Sequence, residues 1–505
     1  MMFLLQTLCL ATLVASVTPA IVVDDKVCVY KTASATCTPR AICASQPKAG
    51  DKTPADSCRV LPHVLKLPQQ VHLAYAGATA GTGMSVSWAT YENVDSSIWL
   101  GSTTDGLVKR ADIKVSSSTY FSDDGYSLYQ HHATVLGLQP HTKYFYKVGS
   151  SSNDSLVSEV AAFTTARPAN NTEEFDVAIY GDLGFGTKGE ASTDFINALA
   201  SNLSFVYHVG DIGYADDDFL VPSQALGFYY EKVYNKWMNS MTPLMQQVPY
   251  MVTVGNHEAE CHSPACLVSD YKKDHLGNYS AYNARFRMPS NESKGVKSMW
   301  YAFEYGPLHI TSISSETDYK DSPGNAYTVT HKNGGFGNQL AWLEEDLKNA
   351  SANRANVPWL IVGMHRPIYH RKDTDRSGKP TGDSLALQKA FEELFIKYGV
   401  DLVIAGHEHG YERHFPIVRG KAVKDGVSAD NAVYANPKAP VYIVTGGPGN
   451  PEPNMKSGKS GVAWNVLESD AYAISTMQVT RQSLAIKHIT TDTQTIVDEF
   501  TITKA

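Results

Sequence analysis

Between residues 66 and 167 the apolar residues come in short runs separated by clusters of Gly, Asn, Asp and Ser. The clearest runs are Val71 to Tyr75, Met84 to Thr90, Ser97 to Gly101, His131 to Leu136, Tyr144 to Val148 and Val157 to Thr164. Regular short strands with turn residues between them predict a β-sandwich. Trp88, on an early strand, is placed in its core. The stretch Leu138-Gln-Pro-His-Thr-Lys-Tyr144 reads as the corner before a late strand. His131 and His132 are neighbours, so on a strand they point to opposite faces. They read as ordinary sheet residues.

After a polar stretch, Ala166-Arg-Pro-Ala-Asn-Asn-Thr172, the pattern changes. Apolar strands at Phe175 to Tyr180, Phe205 to Val209, Tyr250 to Val254, Trp359 to Val362 and Leu402 to Ala405 alternate with helical segments. The helices fall at Ala191 to Ala200, Phe228 to Met238, Gly337 to Lys348 and Leu385 to Tyr398. In the third, Leu340, Leu343 and Leu347 share one side. The fourth is stopped by Gly399. This alternation predicts an α/β layered domain. The tail from Val441 to Thr503 reads as mainly β. The fold class is therefore α/β plus all-β, with an extension at 21–65, a sandwich at 66–167 and a layered domain with its β-rich tail at 172–505.

Composition narrows the class. At 505 residues the chain is too long for one core, and 43% hydrophobic with 19% charged residues describes a globular protein. A net charge of -8 gives no basic face for nucleic acid. Phe3 to Val17 is apolar and uncharged, and small residues follow to Ala20, so residues 1–20 read as a secretory signal peptide. No later segment reaches the roughly 18 apolar residues of a membrane span. Beyond Cys9, inside that signal, six cysteines remain: Cys28, Cys37, Cys43, Cys58, Cys261 and Cys266. An even number suits an oxidising compartment. The first four can pair in three ways. Cys261 and Cys266, isolated in sequence, are expected to pair with each other. Asn153, Asn170, Asn202, Asn278, Asn291 and Asn349 each begin an N-x-S/T sequon, which fits N-linked glycans on a secreted surface.

The chemistry gathers where the strands of the layered domain end. Five apolar runs pass through a Gly into a metal-capable side chain: Gly181-Asp182, Gly210-Asp211-Ile-Gly-Tyr214, Gly255-Asn256-His257-Glu258, Gly363-Met-His365 and Gly406-His407-Glu-His409. In open α/β folds such strand ends are where loops converge on a site. Each Gly is read as letting the backbone turn so that the next side chain aims inward. A single GD or GNH is usually only a turn, but five such endings in one domain point to one centre. Carboxylate, amide and phenol oxygens with imidazoles, and no thiolate, suit iron(III), zinc or manganese. Seven donors exceed one tetrahedral zinc, and two metals roughly 3.5–4 Å apart would share a carboxylate.

The set GD–GDxxY–GNH–VxxH–GHxH resembles the signature of the purple acid phosphatases, within the calcineurin-like metallophosphoesterases. The region ahead of it is similar to the fibronectin type III-like domain of the large, plant-like members. The resemblance implies a layered α/β/β/α metallophosphoesterase sandwich. It also implies that Asp182, Tyr214 and His409 hold iron(III), that Asn256, His365 and His407 hold a divalent metal (Zn, Mn or Fe), and that Asp211 bridges them. His257 would be the acid at the leaving group. In the loop after His365 only His370 is available as a further histidine, earlier than the plant pattern places one, and it is the candidate for substrate contact. Arg366 and Arg371 read as solvated charges, and Asp216, Asp217 and Asp218 as a solvated loop. Glu258 and Glu408 are read as orienting an imidazole.

The implied function is a secreted acid phosphatase that hydrolyses small-molecule phosphate monoesters by attack of a metal-bound hydroxide, in an extracellular or vacuole-like compartment. No nucleic acid or membrane partner is expected, and a homodimer stays open. A phosphodiesterase or nucleotide pyrophosphatase, a phytase, and a non-catalytic binding protein are the alternatives. The intact ligand set counts against the last.

Overall fold

A computed structural model describes residues 62–504 apart from 124–125, 223, 324–332 and 457–460, together with backbone strands at 21–22, 26–31, 34–39, 41–43 and 58–60. The signal-peptide reading and the side chains of Cys28, Cys37, Cys43 and Cys58 lie outside the described residues.

The first unit is the expected sandwich. One sheet runs in the order Ser116–Ser118, Tyr129–Leu136, Gly83–Thr90, Gln69–Ala76. The other runs Ala161–Thr164, Lys143–Ser150, Ser96–Gly101, Val108–Lys109. Trp88 is fully buried between them and stacks on His131 with ring centroids 5.3 Å apart. The corner closes where the Gln139 N–H donates to the Tyr144 hydroxyl at 3.1 Å. Val157 makes only an isolated bridge to Gly149, so the last strand is shorter than the sequence predicts.

The second unit stacks two sheets face to face. One, of seven strands, has Tyr250–Thr253, Leu203–Val209 and Phe175–Tyr180 parallel at one side. The other, of eight, has Leu308–Ser312, Trp359–Gly363, Leu402–Ala405 and Val441–Thr445 parallel at its centre. Alternation along the strands explains the layering. Ile361, Ile404 and Ile443 join Val177, Ile179 and Phe205 in the core between the sheets. Their neighbours Leu360, Val362 and Val403 turn outward to Leu343, Leu347, Phe391 and Phe395 on the covering helices.

Two predicted helices are longer than the pattern showed. Tyr230–Met245 continues past polar Asn239 and Ser240 and through Pro243, because Met241, Leu244 and Met245 are buried. The fourth begins at Gly382 and passes through a π-helical stretch, Gln388–Glu392, before Gly399 ends it at φ +66°. The hairpin Tyr301–Tyr305 and Leu308–Ser312 carried no recognised pattern.

The units meet beside a buried ion pair of the second unit, from which Arg285 also reaches Gln70 of the first. Arg285 donates to Glu231 at 2.8 Å, to Asn235 at 3.0 Å and to Gln70 at 3.2 Å. His132 lies 3.0 Å from the Ala284 carbonyl across the same boundary. Cys261 and Cys266 form a disulfide. No helix among the described residues is long and apolar enough to cross a membrane.

Candidate metal centre

Three of the five strand endings belong to one sheet and two to the other, and they meet at the seam. The Tyr214 hydroxyl donates to Asp182 Oδ1 at 3.0 Å and lies 2.9 Å from His409 Nε2. His365 Nε2 lies 3.1 Å from Asn256 Oδ1, and its ring stands 5.1 Å from that of His407. Asp211 joins the halves: its Oδ2 is 3.5 Å from the Tyr214 hydroxyl and 3.0 Å from His365 Nε2. One donor atom each from Asp211, His365 and His407 falls within 4.8 Å of the others. All seven residues that the motifs named come together.

The backbone reaches this arrangement differently from the expectation. Of the five motif glycines only Gly210 has positive φ, +86°. The left-handed conformation is taken by the candidate ligands themselves: Asp182 (+60°), Asp211 (+51°), Tyr214 (+48°) and His407 (+69°). Such residues cost about 1–3 kcal/mol each and persist only where surrounding structure fixes them. The glycines serve mainly by lacking a Cβ. A Cβ on Gly406 would lie 2.5 Å from Asp182 Oδ2, and one on Gly210 2.5 Å from His365 Nδ1.

Hydrogen bonds set the imidazoles. His365 Nδ1 donates to the Val209 carbonyl at 2.9 Å, so Nε2 presents its lone pair to the centre. His409 Nδ1 lies 3.4 Å from the Pro453 carbonyl, on a loop that follows strand Val441–Thr445 and closes over this half of the site. That loop was not legible as part of the centre; its Gly446-Gly447-Pro-Gly449 run was the available signal. His407 is kept neutral by burial and by Arg366, the state a metal ligand needs. Burial raises the Asp182 carboxyl despite His365 and His409, and burial with Asp182 and Asp211 holds the Tyr214 phenol well above its ordinary value. Two fully buried carboxylates, a phenol, an amide oxygen and three imidazoles form a donor set that fits hard or borderline cations.

Several expectations are overturned. Asp216, Asp217 and Asp218 are buried, not solvated. Asp216 holds His257 Nδ1 at 2.9 Å, and burial pushes Asp217 and Asp218 up to about 7. A buried charge needs partners, and two histidines supply them. Arg366 is likewise buried, held by Glu316 at 2.8 Å, and donates to His407 Nε2 at 2.9 Å. Arg371 pairs with Glu468. Glu258 orients no imidazole. It accepts the backbone N–H groups of Asp211 (2.9 Å), Ile212 (2.7 Å) and Gly255 (2.8 Å), tying two ligand loops together. Glu408 does face an imidazole, but that of His370, at 3.4 Å. His370 is buried, with Asp373 at 3.8 Å on its other side.

His257 lies beside the candidate ligands. Its ring packs on Tyr214 with centroids 4.2 Å apart, and Nε2 stands 3.8 Å from Asp211 Oδ2. Burial favours its neutral form, but Asp216 and Asp211 outweigh this and hold it well above its ordinary pKa.

Three family models match the chain: the purple acid phosphatase N-terminal domain over 68–165, the calcineurin-like phosphoesterase over 175–411, and the iron/zinc purple acid phosphatase-like protein C over 439–499. Acid phosphatase A of Cryphonectria parasitica is 30% identical, covering 88% of this chain and 93% of its own. Acid phosphatase type 7 of Mus musculus is 30% identical over 83% of this chain and 86% of its own. A purple acid phosphatase from yellow lupin seeds shares the fold, with a TM-score of 0.68, 20% identity, and coverage of 87% of this chain and 75% of that one. Fold, centre and relatives agree, and the chain belongs to the purple acid phosphatases.

Proposed function

We propose that the protein is a secreted acid phosphatase acting on small-molecule phosphate monoesters at a centre of iron(III) and a divalent metal. The observation that carries this reading is the Asp211 carboxylate, within reach of Tyr214 on one side and His365 on the other. Asp182, Tyr214 and His409 are assigned to iron(III). Asn256, His365 and His407 are assigned to zinc, manganese or iron(II), with Asp211 shared. Metals held there neutralise the charge of the phosphate and make water a usable nucleophile in mildly acidic surroundings.

The chain's own groups do the rest. His257, fixed through Nδ1 by Asp216, presents Nε2 to the side of the centre where an ester oxygen departs, and protonates it. His370, held above its ordinary pKa by Asp373 and Glu408 against the effect of burial, is assigned to contact with the substrate. Asn153, Asn170, Asn202, Asn291 and Asn349 are exposed and assigned glycans, whereas the Asn278 amide is engaged with Gly334.

Metal analysis of the purified protein, with turnover on a panel of mono- and diesters, tests the reading. Two metals per chain and faster monoester turnover are expected. Faster diester turnover would replace it with a phosphodiesterase.

A further inference from the structure

The Asp216 carboxylate is fully buried and lies between two imidazoles, not one. His257 Nδ1 approaches its Oδ2 at 2.9 Å and its Oδ1 at 3.1 Å, and His262 Nδ1 approaches the same Oδ2 at 3.1 Å. His262 follows the GNHE run on a loop closed by the Cys261–Cys266 disulfide. Its Nε2 faces Glu260 Oε1 at 3.6 Å. A carboxylate can accept about four hydrogen bonds, and a buried one is costly to leave short of them. His262 therefore supplies a second donor to the oxygen that His257 also uses, and holds the Asp216 carboxylate in the position from which it accepts His257 Nδ1. A carboxylate held there makes Nδ1 of His257 the donor and leaves Nε2 toward Asp211 and the centre.

We infer that His262 is a positioning residue for the reaction: through Asp216 it sets the orientation of the His257 imidazole that protonates the leaving group. The inference rests on the assignment of His257 as the acid. Its contribution is therefore needed where the departing oxygen is strongly basic and is dispensable where it is not. A purely structural His262 would affect all esters alike.

The experiment compares His262→Leu, His262→Asn and His257→Ala with the parent holoenzyme, on glycerol 2-phosphate and 4-nitrophenyl phosphate, with metal content measured for each. The Asn amide nitrogen takes the place of Nδ1, so the donor to Asp216 is kept. His262→Leu is expected to retain both metals and to lose roughly ten-fold in kcat on the alkyl ester, with a much smaller loss on the aryl ester and little change in KM. His262→Asn should recover most of the loss. An unchanged ratio of the two rates in His262→Leu, or an Asn variant no better than Leu, overturns the inference while His257→Ala still moves the ratio. A His257→Ala protein with an unchanged ratio overturns the acid assignment itself, and the inference with it.

Discussion

Gly255 lies so close to Asp211 that a Cβ placed on it would overlap Asp211 Oδ1. The glycine of the third motif thus makes room for the carboxylate of the second. Gly255→Ala should push Asp211 out of register, although alanine suits the extended backbone there (φ -121°, ψ -176°). The variant is expected to fold, to bind less of both metals and to lose most turnover. Metal content after dialysis, beside an unchanged circular dichroism spectrum, checks this.

Asp211→Asn removes the charge at the one residue within reach of both halves of the centre. Both metals should weaken together. A full complement of two metals with normal turnover would show that the carboxylate is not shared.

Tyr214 is the only phenol in the ligand set, and a phenolate on iron(III) absorbs visible light. The parent protein should be purple or pink. Tyr214→Phe should bleach the band and keep part of the activity. A colourless, fully active parent containing two zinc ions would remove iron from the account.

His257→Ala deletes the proposed proton donor without removing any of the seven candidate ligands. Losses on the order of 10²-fold or more are expected on alkyl phosphates, and smaller ones on nitrophenyl phosphate, with both metals retained. Equal loss on both esters would make His257 a structural residue.

His131 gives a prediction about stability. It is fully buried against Trp88, between the hydroxyls of Thr90 (2.8 Å) and Ser117 (2.6 Å), and burial lowers its pKa to about 4. The unfolded chain takes up that proton near pH 6.5. Because the folded value lies below the unfolded one, the unfolded state binds more protons in between. The stability tied to neutral His131 is complete above about pH 6.5 and is lost as the pH falls toward 4, a loss of up to about 3 kcal/mol. His131→Gln does not titrate, so its melting temperature should fall less steeply than the parent's over that window. Parallel slopes would remove His131 from the acid sensitivity.

Much of this protein is written locally. Alternation and turn residues mark the strands of the sandwich around Trp88, and a glycine at 399 ends a helix, because period and φ preference act within a few residues. The ligands were legible for the same reason: each sits at the end of its own apolar run, so Asp182, Asp211, Asn256, His365 and His407 announce themselves separately. What could not be read locally is who meets whom. Tyr214 and His409 touch across 195 residues, and the seam where they do so exists only because two sheets stack through Ile179, Ile361 and their neighbours. The run Asp216-Asp217-Asp218 reads as solvated because polarity is a property of residues, whereas burial is a property of the packing around them. Only the fold brings His257 and His262 to Asp216, and only those partners allow the charge to be buried. Arg366 turns inward for the same reason, since Glu316 and His407 reach it from the loops after other strands. The sequence determined the elements and the chemistry of the donors. The tertiary structure decided which charges are paired, because pairing depends on contacts between segments that sequence order keeps apart.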